Sequence, residues 1–242
     1  GLGVEVIEEF SKVADPFRSH FRFAFKLQYR DLDTYIHPTS IKSGYVKRFL
    51  DTRLTRSEQK VLSHAIRENG FEAVCTPFDE PSVTHAVEDG FGILKVASAS
   101  FGDWPLLESV IAPGLPVIAS TGGASEETIW KVVAFFRHRD VPLTLLHCVA
   151  EYPTHEGRLA LRGIETLRNL HPSLKVGFST HEFPANTSSI GLALALGASV
   201  IEKHVGLPPL NAYSVSPDQA TAWLKAGSIA LDMLGDRTTS KS

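Results

Sequence analysis

The sequence lacks any apolar run near the roughly 20 residues that a membrane-spanning helix requires, so a membrane partner is not expected. Cysteine is scarce, with two in 242 residues. Cys75 and Cys148 lie inside the apolar strings "FEAVCTPF" and "LTLLHCVA". That placement fits neither a disulfide framework nor a zinc knuckle, and reads as two buried free thiols in a reducing compartment. Excess charge is lacking too: 24 Lys and Arg face 27 Asp and Glu, a formal net charge of −3. Neither nucleic acid nor an acidic membrane surface is therefore an expected partner. The opening "GLGVEVIEEFSKVADPF" is acidic where a signal peptide is basic, and the expected location is cytoplasmic. No Gly-x-Gly-x-x-Gly follows an apolar run, and "STGGASEE" lacks the lysine and spacing of a Walker loop. Dinucleotide and P-loop folds lose their support with them.

What the chain does have is alternation. Seven short apolar strings read as strands: "FRFAFKLQY", "FEAVCTPF", "GILKVASAS", "LPVIAST", "PLTLLHCVA", "LKVGFSTH" and "ASVIEKHV". Segments of helical period separate them, among them "SEETIWKVVAFFRHR", with Ser125 as its N-cap, "GRLALRGIETLRNL", "SSIGLALALG" and "SPDQATAWLKAGSIALDMLG". Strict β-α alternation implies a parallel sheet covered by helices. The expected fold class is α/β, a (β/α)8 TIM barrel. Such a barrel needs eight strands and the chain supplies seven, so the simplest account places one strand before residue 1. An open seven-stranded sheet is the rival. Residues 1–236 read as one barrel domain and 237–242 as a disordered polar tail.

Polar residues collect at the C-terminal ends of these strands. Lys26 and Gln28 close the first, Thr76 the second, Lys95 and Ser98 the third, and Ser120 the fourth. Ser179 and His181 close the sixth, and Glu202 and His204 the seventh. The i, i+2 pairs put both members on one strand face, which in a barrel is the interior at its mouth. Two lysines and several hydroxyls converging there suit a multiply charged anion such as a phosphate. Two histidines on successive strands suit an open metal site for Mg²⁺ or Mn²⁺, completed by water and substrate oxygens. The same spacing also suits two strand-end histidines hydrogen-bonded to neighbours. His147 reads as structural and His155 is undecided. His20, His37, His64, His85, His138 and His171 read as solvated.

Seven strings in order, each ending a strand, carry a resemblance: "FKLQ", "CTPFDEPSV", "LKVASAS" with "WPLLE", "VIASTGGASEE", "LLHCVAEYPT", "VGFSTH" and "GASVIEKHVGL". They resemble the N-acetylneuraminate (sialic acid) synthase family, which includes legionaminic, pseudaminic and spore coat polysaccharide synthases. The resemblance implies a homodimeric (β/α)8 enzyme that condenses phosphoenolpyruvate with an open-chain N-acyl amino sugar and releases phosphate, using a divalent metal, Mn²⁺ or Mg²⁺. It maps the phosphoenolpyruvate contacts onto Lys26, Thr76, Lys95, Ser98, Ser120 and Ser179, and the metal ligands onto His181 and His204. Gln28, Tyr152 and Glu202 become the catalytic candidates, with Glu202 alternatively orienting Lys95 or Lys26.

The pattern departs from the family at four places. Ser100 stands where the family carries an acid near the reacting carbon, and serine is a poor general acid–base near neutral pH. Ala150 replaces a polar phosphate contact. "PPLNAYS", around Asn211, replaces a loop whose acid grips the sugar. The family's opening strand and its small antifreeze-like C-terminal domain have no counterpart in these 242 residues. The phosphoenolpyruvate half of the site looks kept and the sugar half rewritten. Two alternatives follow: a non-catalytic phosphoenolpyruvate-binding barrel acting as a partner or sensor subunit, or an aldolase on a sugar phosphate.

Overall fold

In a computed structural model, which describes residues 1–36, 39 and 44–235, seven strands form one curled, all-parallel sheet. They are β1 (Ala24–Tyr29), β2 (Glu72–Pro77), β3 (Ile93–Val96), β4 (Val117–Ser120), β5 (Leu143–His147), β6 (Lys175–Thr180) and β7 (Ile201–Lys203). Their spatial order is their chain order, with β1 and β7 at the two edges. This is the (β/α)8 barrel class that the alternation implies, curled around an interior with seven strands. The expected polar tail, residues 237–242, and His37 lie outside the described residues.

The connection from β1 to β2 runs through three helices, α2 (Leu32–Tyr35), α3 (Gly44–Asp51) and α4 (Arg56–Glu68). Elsewhere one main helix follows each strand: α5 (Glu80–Glu88), α6 (Trp104–Ile111), α7 (Glu126–His138), α8 (Gly163–Leu170), α9 (Ser188–Ala195) and α10 (Pro217–Leu234), with α1 (Leu2–Ala14) leading the chain. Local chemistry starts several of them. Thr55 and Ser216 each make a capping box with Glu58 and Gln219, and Ser125 accepts from the Thr128 amide as its sequence position implies. Among the described residues, no helix is long and apolar enough to cross a membrane.

The two faces of each strand divide the work. Ala73 and Cys75, Leu94 and Val96, Val117 and Ala119, Leu143 and Leu145, and Val176 and Phe178 face the helices. There they pack with Ile66, Val83, Leu107, Val132 and Ile164 in one continuous core. The alternate residues turn into the barrel, so Lys26, Thr76, Lys95, Ser120, Ser179 and Glu202 share the interior. Both cysteines are free and buried, as their apolar strings imply.

Three expectations need correction. The string 157–170 was expected to be one helix, but a 3-10 turn covers Glu156–Arg158 and the helix begins only at Gly163. Ala160, at φ 47°, breaks the ladder. The turn is held by buried Leu159, whose carbonyl lies 2.9 Å from His147 Nε2. "GILKVASAS" stops being a strand at Val96, because Ser98–Ser100 winds into a 3-10 turn. His171 is buried at 3% exposure against the Trp130 ring, not solvated.

Gly177 is a point where the interior leaves no room for a side chain. A Cβ there would collide with the Val200 carbonyl and with the Leu146 side chain. Backbone cannot yield as a side chain tip can, so Gly177→Ala is expected to push β7 from β6. Loss of more than about 2 kcal/mol in a urea titration is the expected result.

Candidate active site at the strand ends

Glu202 is the hub of the mouth. Its carboxylate lies 4.0 Å from Lys26 Nζ and 3.8 Å from Lys95 Nζ, and accepts a 2.8 Å hydrogen bond from Ser179 Oγ. Lys95, 3% exposed, also donates to Ser120 Oγ at 2.6 Å and to the Val96 carbonyl at 3.2 Å. Burial pushes the Glu202 carboxyl up, but Lys26, Lys95, Ser179 and His204 outweigh it and hold the group down at about 2. Burial lowers the Lys95 ammonium, with Glu202 opposing and Lys26 reinforcing the shift. Two lysines share one carboxylate, so the cluster holds one basic group more than it has acid to pair with, and a further anion would complete the pairing.

Other residues extend this cradle. Gln28 is opposite Thr76 in the β1–β2 register, and the Thr76 hydroxyl is buried with no partner. A buried hydroxyl left unbonded points to a group that arrives from outside the chain. Ser98 makes no bond to the lysines; its Oγ lies 3.0 Å from Cys148 Sγ across Gly122, where a Cβ would meet both atoms. Ser100 is buried and Ala150 exposed.

His181 and His204 come together as neighbouring strand ends, their ring centroids 5.2 Å apart. Burial, above all, lowers both imidazoles to about 4; His204 adds to the shift at His181, and Lys26 to that at His204. Both are therefore neutral at pH 7, the form that binds metal. Nδ1 of His181 is buried without a partner. Among the described residues no cluster of three or more His, Cys, Asp and Glu side chains can hold a metal. The pair fits two protein donors of an open site whose remaining positions come from water and substrate. The Tyr152 ring lies tilted against His181, centroids 4.1 Å apart, while remaining half exposed.

Sequence reasoning missed two groups here. Tyr213 closes an aromatic ring around the imidazoles, 5.2 Å from His204 and 5.6 Å from Tyr152. Its loop is fixed because Asn211 Oδ1 accepts from the amides of Tyr213 and Ser214. The signal available was the Asn-x-Tyr-Ser spacing, a short Asx turn. Behind the wall, Lys203 pairs with Glu182 at 3.2 Å, both almost fully buried, and Ser189 donates to the same carboxylate oxygen at 2.6 Å. Glu182 follows His181 and Lys203 precedes His204, so this pair pins the two imidazole-bearing tips to each other.

Two lysines around one carboxylate, beside two neutral imidazoles, thus sit together at the C-terminal mouth of a curled (β/α)8 barrel. Residues 24–228 match the NeuB family, and the chain belongs to that family. The spore coat polysaccharide biosynthesis protein E of Chromobacterium violaceum superposes with a TM-score of 0.95 at 47% identity, over 100% of this chain and 73% of that one. The N-acetylneuraminic acid (sialic acid) synthetase of Leptospira borgpetersenii, solved with citrate, gives 0.84 at 26% identity, over 100% and 82%. The N,N'-diacetyllegionaminic acid synthase of Campylobacter jejuni is 33% identical over 156 residues, 63% of this chain and 45% of its own length. The chain thus spans about half the length of such curated synthases.

Two outcomes follow. The unfolded chain takes up more protons than the folded one between the ordinary histidine value of 6.5 and about 4. Stability should therefore fall as pH is lowered through that window, and NMR titration should place both imidazole midpoints near 4. Lys203→Met, which strands the Glu182 carboxylate, should cost about 3–5 kcal/mol by denaturant titration, and Lys203→Met with Glu182→Leu clearly less.

Proposed function

We propose that this barrel is the catalytic body of a nonulosonate synthase in surface polysaccharide biosynthesis. It joins phosphoenolpyruvate to the aldehyde of an open-chain N-acyl amino sugar and releases phosphate. The observation that carries the reading is the Lys26–Glu202–Lys95 cluster, two lysines to one carboxylate, beside two neutral imidazoles. The family is a further support: its members include proteins named as sialic acid and legionaminic acid synthases.

Each residue then has a task. Lys95 and Lys26 offset the charge of the phosphate and carboxylate, and Thr76, Ser98, Ser120 and Ser179 supply directed hydrogen bonds to their oxygens. Glu202 keeps both lysines charged and aimed before the anion arrives, because its own charge persists to about pH 2. Gln28, from the same strand face as Lys26, and Tyr152, beside His181, line the place where the aldehyde meets C3 of phosphoenolpyruvate. His181 and His204 would hold a divalent cation, Mn²⁺ or Mg²⁺, which when bound supplies Lewis acidity at the aldehyde oxygen. In the balanced reaction a new C–C bond forms from C3, water adds at C2, and the C2–O bond to phosphate breaks.

A second reading is favoured by Ser100, which leaves the protein without a carboxylate at that turn. In it the barrel binds phosphoenolpyruvate without turning it over. Phosphate release from phosphoenolpyruvate separates the two, measured with and without Mn²⁺ over a panel of N-acetylhexosamines and plain aldoses. The synthase reading expects release that needs both metal and one aldehyde. It also expects Lys95→Ala to weaken phosphoenolpyruvate binding by about tenfold or more in calorimetry, as loss of a charge-assisted contact does. Unchanged binding in that variant would contradict the assignment of the cradle, and binding without release would favour the second reading.

A further inference from the structure

Lys26 and Gln28 share one β1 face, and Arg30, one residue past the strand, continues that alternation one layer nearer solvent than the Gln28–Thr76 pair. At about 3.3 Å per residue that layer lies roughly 6–7 Å above Gln28 and about 13 Å above Lys26. The ladder continues past the strand end, with the Phe78 amide donating to the Tyr29 carbonyl at 3.1 Å. Phe78, two residues beyond Thr76, therefore sits beside Arg30 at the same height. The guanidinium is clasped between two rings, 3.8 Å from the Phe78 centroid and 4.4 Å from that of Phe49. Its Nη2 donates to Gln28 Oε1 at 2.9 Å, while Nε is buried and has no partner.

No carboxylate among the described residues forms an ion pair with Arg30. Burial, the largest effect, disfavours the charge, while Tyr35, through a side-chain hydrogen bond, and then Asp79 oppose it. Asp79 is committed elsewhere, one oxygen to the Asp31 amide and the other to the Ser82 amide. Across the mouth, the 205–215 segment "VGLPPLNAYSV" brings no acid at all. Arg30 and Phe49 both line the open cavity of about 2870 Å³ that reaches Lys26, Gln28 and Glu202. A planar fork held flat by two rings, with a donor unspent and no counter-charge, is shaped for an oxyanion.

We propose that Arg30 is a specificity residue that receives an anionic group, a phosphate monoester or a carboxylate, on the acceptor's end remote from its aldehyde. This rests on the condensation reading above: the lysine cluster takes phosphoenolpyruvate, and the acceptor occupies the layer over it. A residue that merely packs between two rings would treat charged and neutral acceptors alike. Arg30 separates them.

The test compares three acceptors, an N-acetylhexosamine, its 6-phosphate and the corresponding hexuronate, in the wild type, Arg30→Met and Arg30→Lys. The expected result is a kcat/KM at least about tenfold higher for one charged acceptor than for the neutral parent. Arg30→Met should collapse that ratio towards one, and Arg30→Lys should restore part of it, a point charge without the fork. A preference for the 6-phosphate or for the hexuronate identifies the source of the anion, and either supports the proposal. No preference in the wild type, or an equal fall for charged and neutral acceptors in Arg30→Met, would overturn it. If no acceptor releases phosphate, the condensation reading has failed, and calorimetry on phosphoenolpyruvate-loaded protein decides for Arg30. Tighter binding of a charged sugar than of its neutral parent, lost in Arg30→Met, supports the proposal; equal binding overturns it.

Discussion

Glu202 between Lys26 and Lys95 is the arrangement on which the rest of the mouth depends. One carboxylate serves two lysines, so the pairing leaves one basic group in excess. The free protein therefore holds a site that an incoming anion completes. Ser179 and Ser120 fix the hub by bonding to Glu202 and Lys95. The cluster shapes its surroundings electrostatically, since the nearby cations help keep His181 and His204 neutral. The excess of basic groups and the neutral imidazoles are two consequences of one arrangement.

Much of the fold was legible because period-2 apolar strings and helix caps are local signals. All seven strands fall within the strings that announced them, and Ser125 caps the helix it precedes. What was illegible came from backbone choices that composition does not record. Ala160 adopts a left-handed conformation that ends a seemingly continuous helical period, and Ser98–Ser100 coils where alternation would carry a strand onward. His171 looked solvated because its neighbours in sequence are polar, whereas Trp130, remote along the chain, covers it.

The candidate site divides along the same line. Residues at i, i+2 on strand ends could be read in advance, since the pleat dictates which face they share. Lys26, Lys95, Ser120, Ser179 and Glu202 meet as that spacing requires. Groups that reach the site from loops or from the opposite strand face were not visible. Tyr213 arrives through an Asx turn, and the Glu182–Lys203 pair from behind the wall. Arg30 continues the Lys26–Gln28 alternation past the strand end, but the Phe49 and Phe78 rings that hold it are remote along the chain. The resemblance drew attention to Ser100, Ala150 and Asn211, and the structure gives Asn211 a plain task in fixing the Tyr213 loop.

The most direct measurement of the central claim is a crystal structure of the protein with phosphoenolpyruvate and Mn²⁺. The account predicts the phosphate or carboxylate oxygens within hydrogen-bonding distance of Lys95, Lys26 and the Thr76 hydroxyl, with the cation on His181 and His204. Phosphoenolpyruvate seated away from the Lys26–Glu202–Lys95 cluster, or a cation on other side chains, would contradict it.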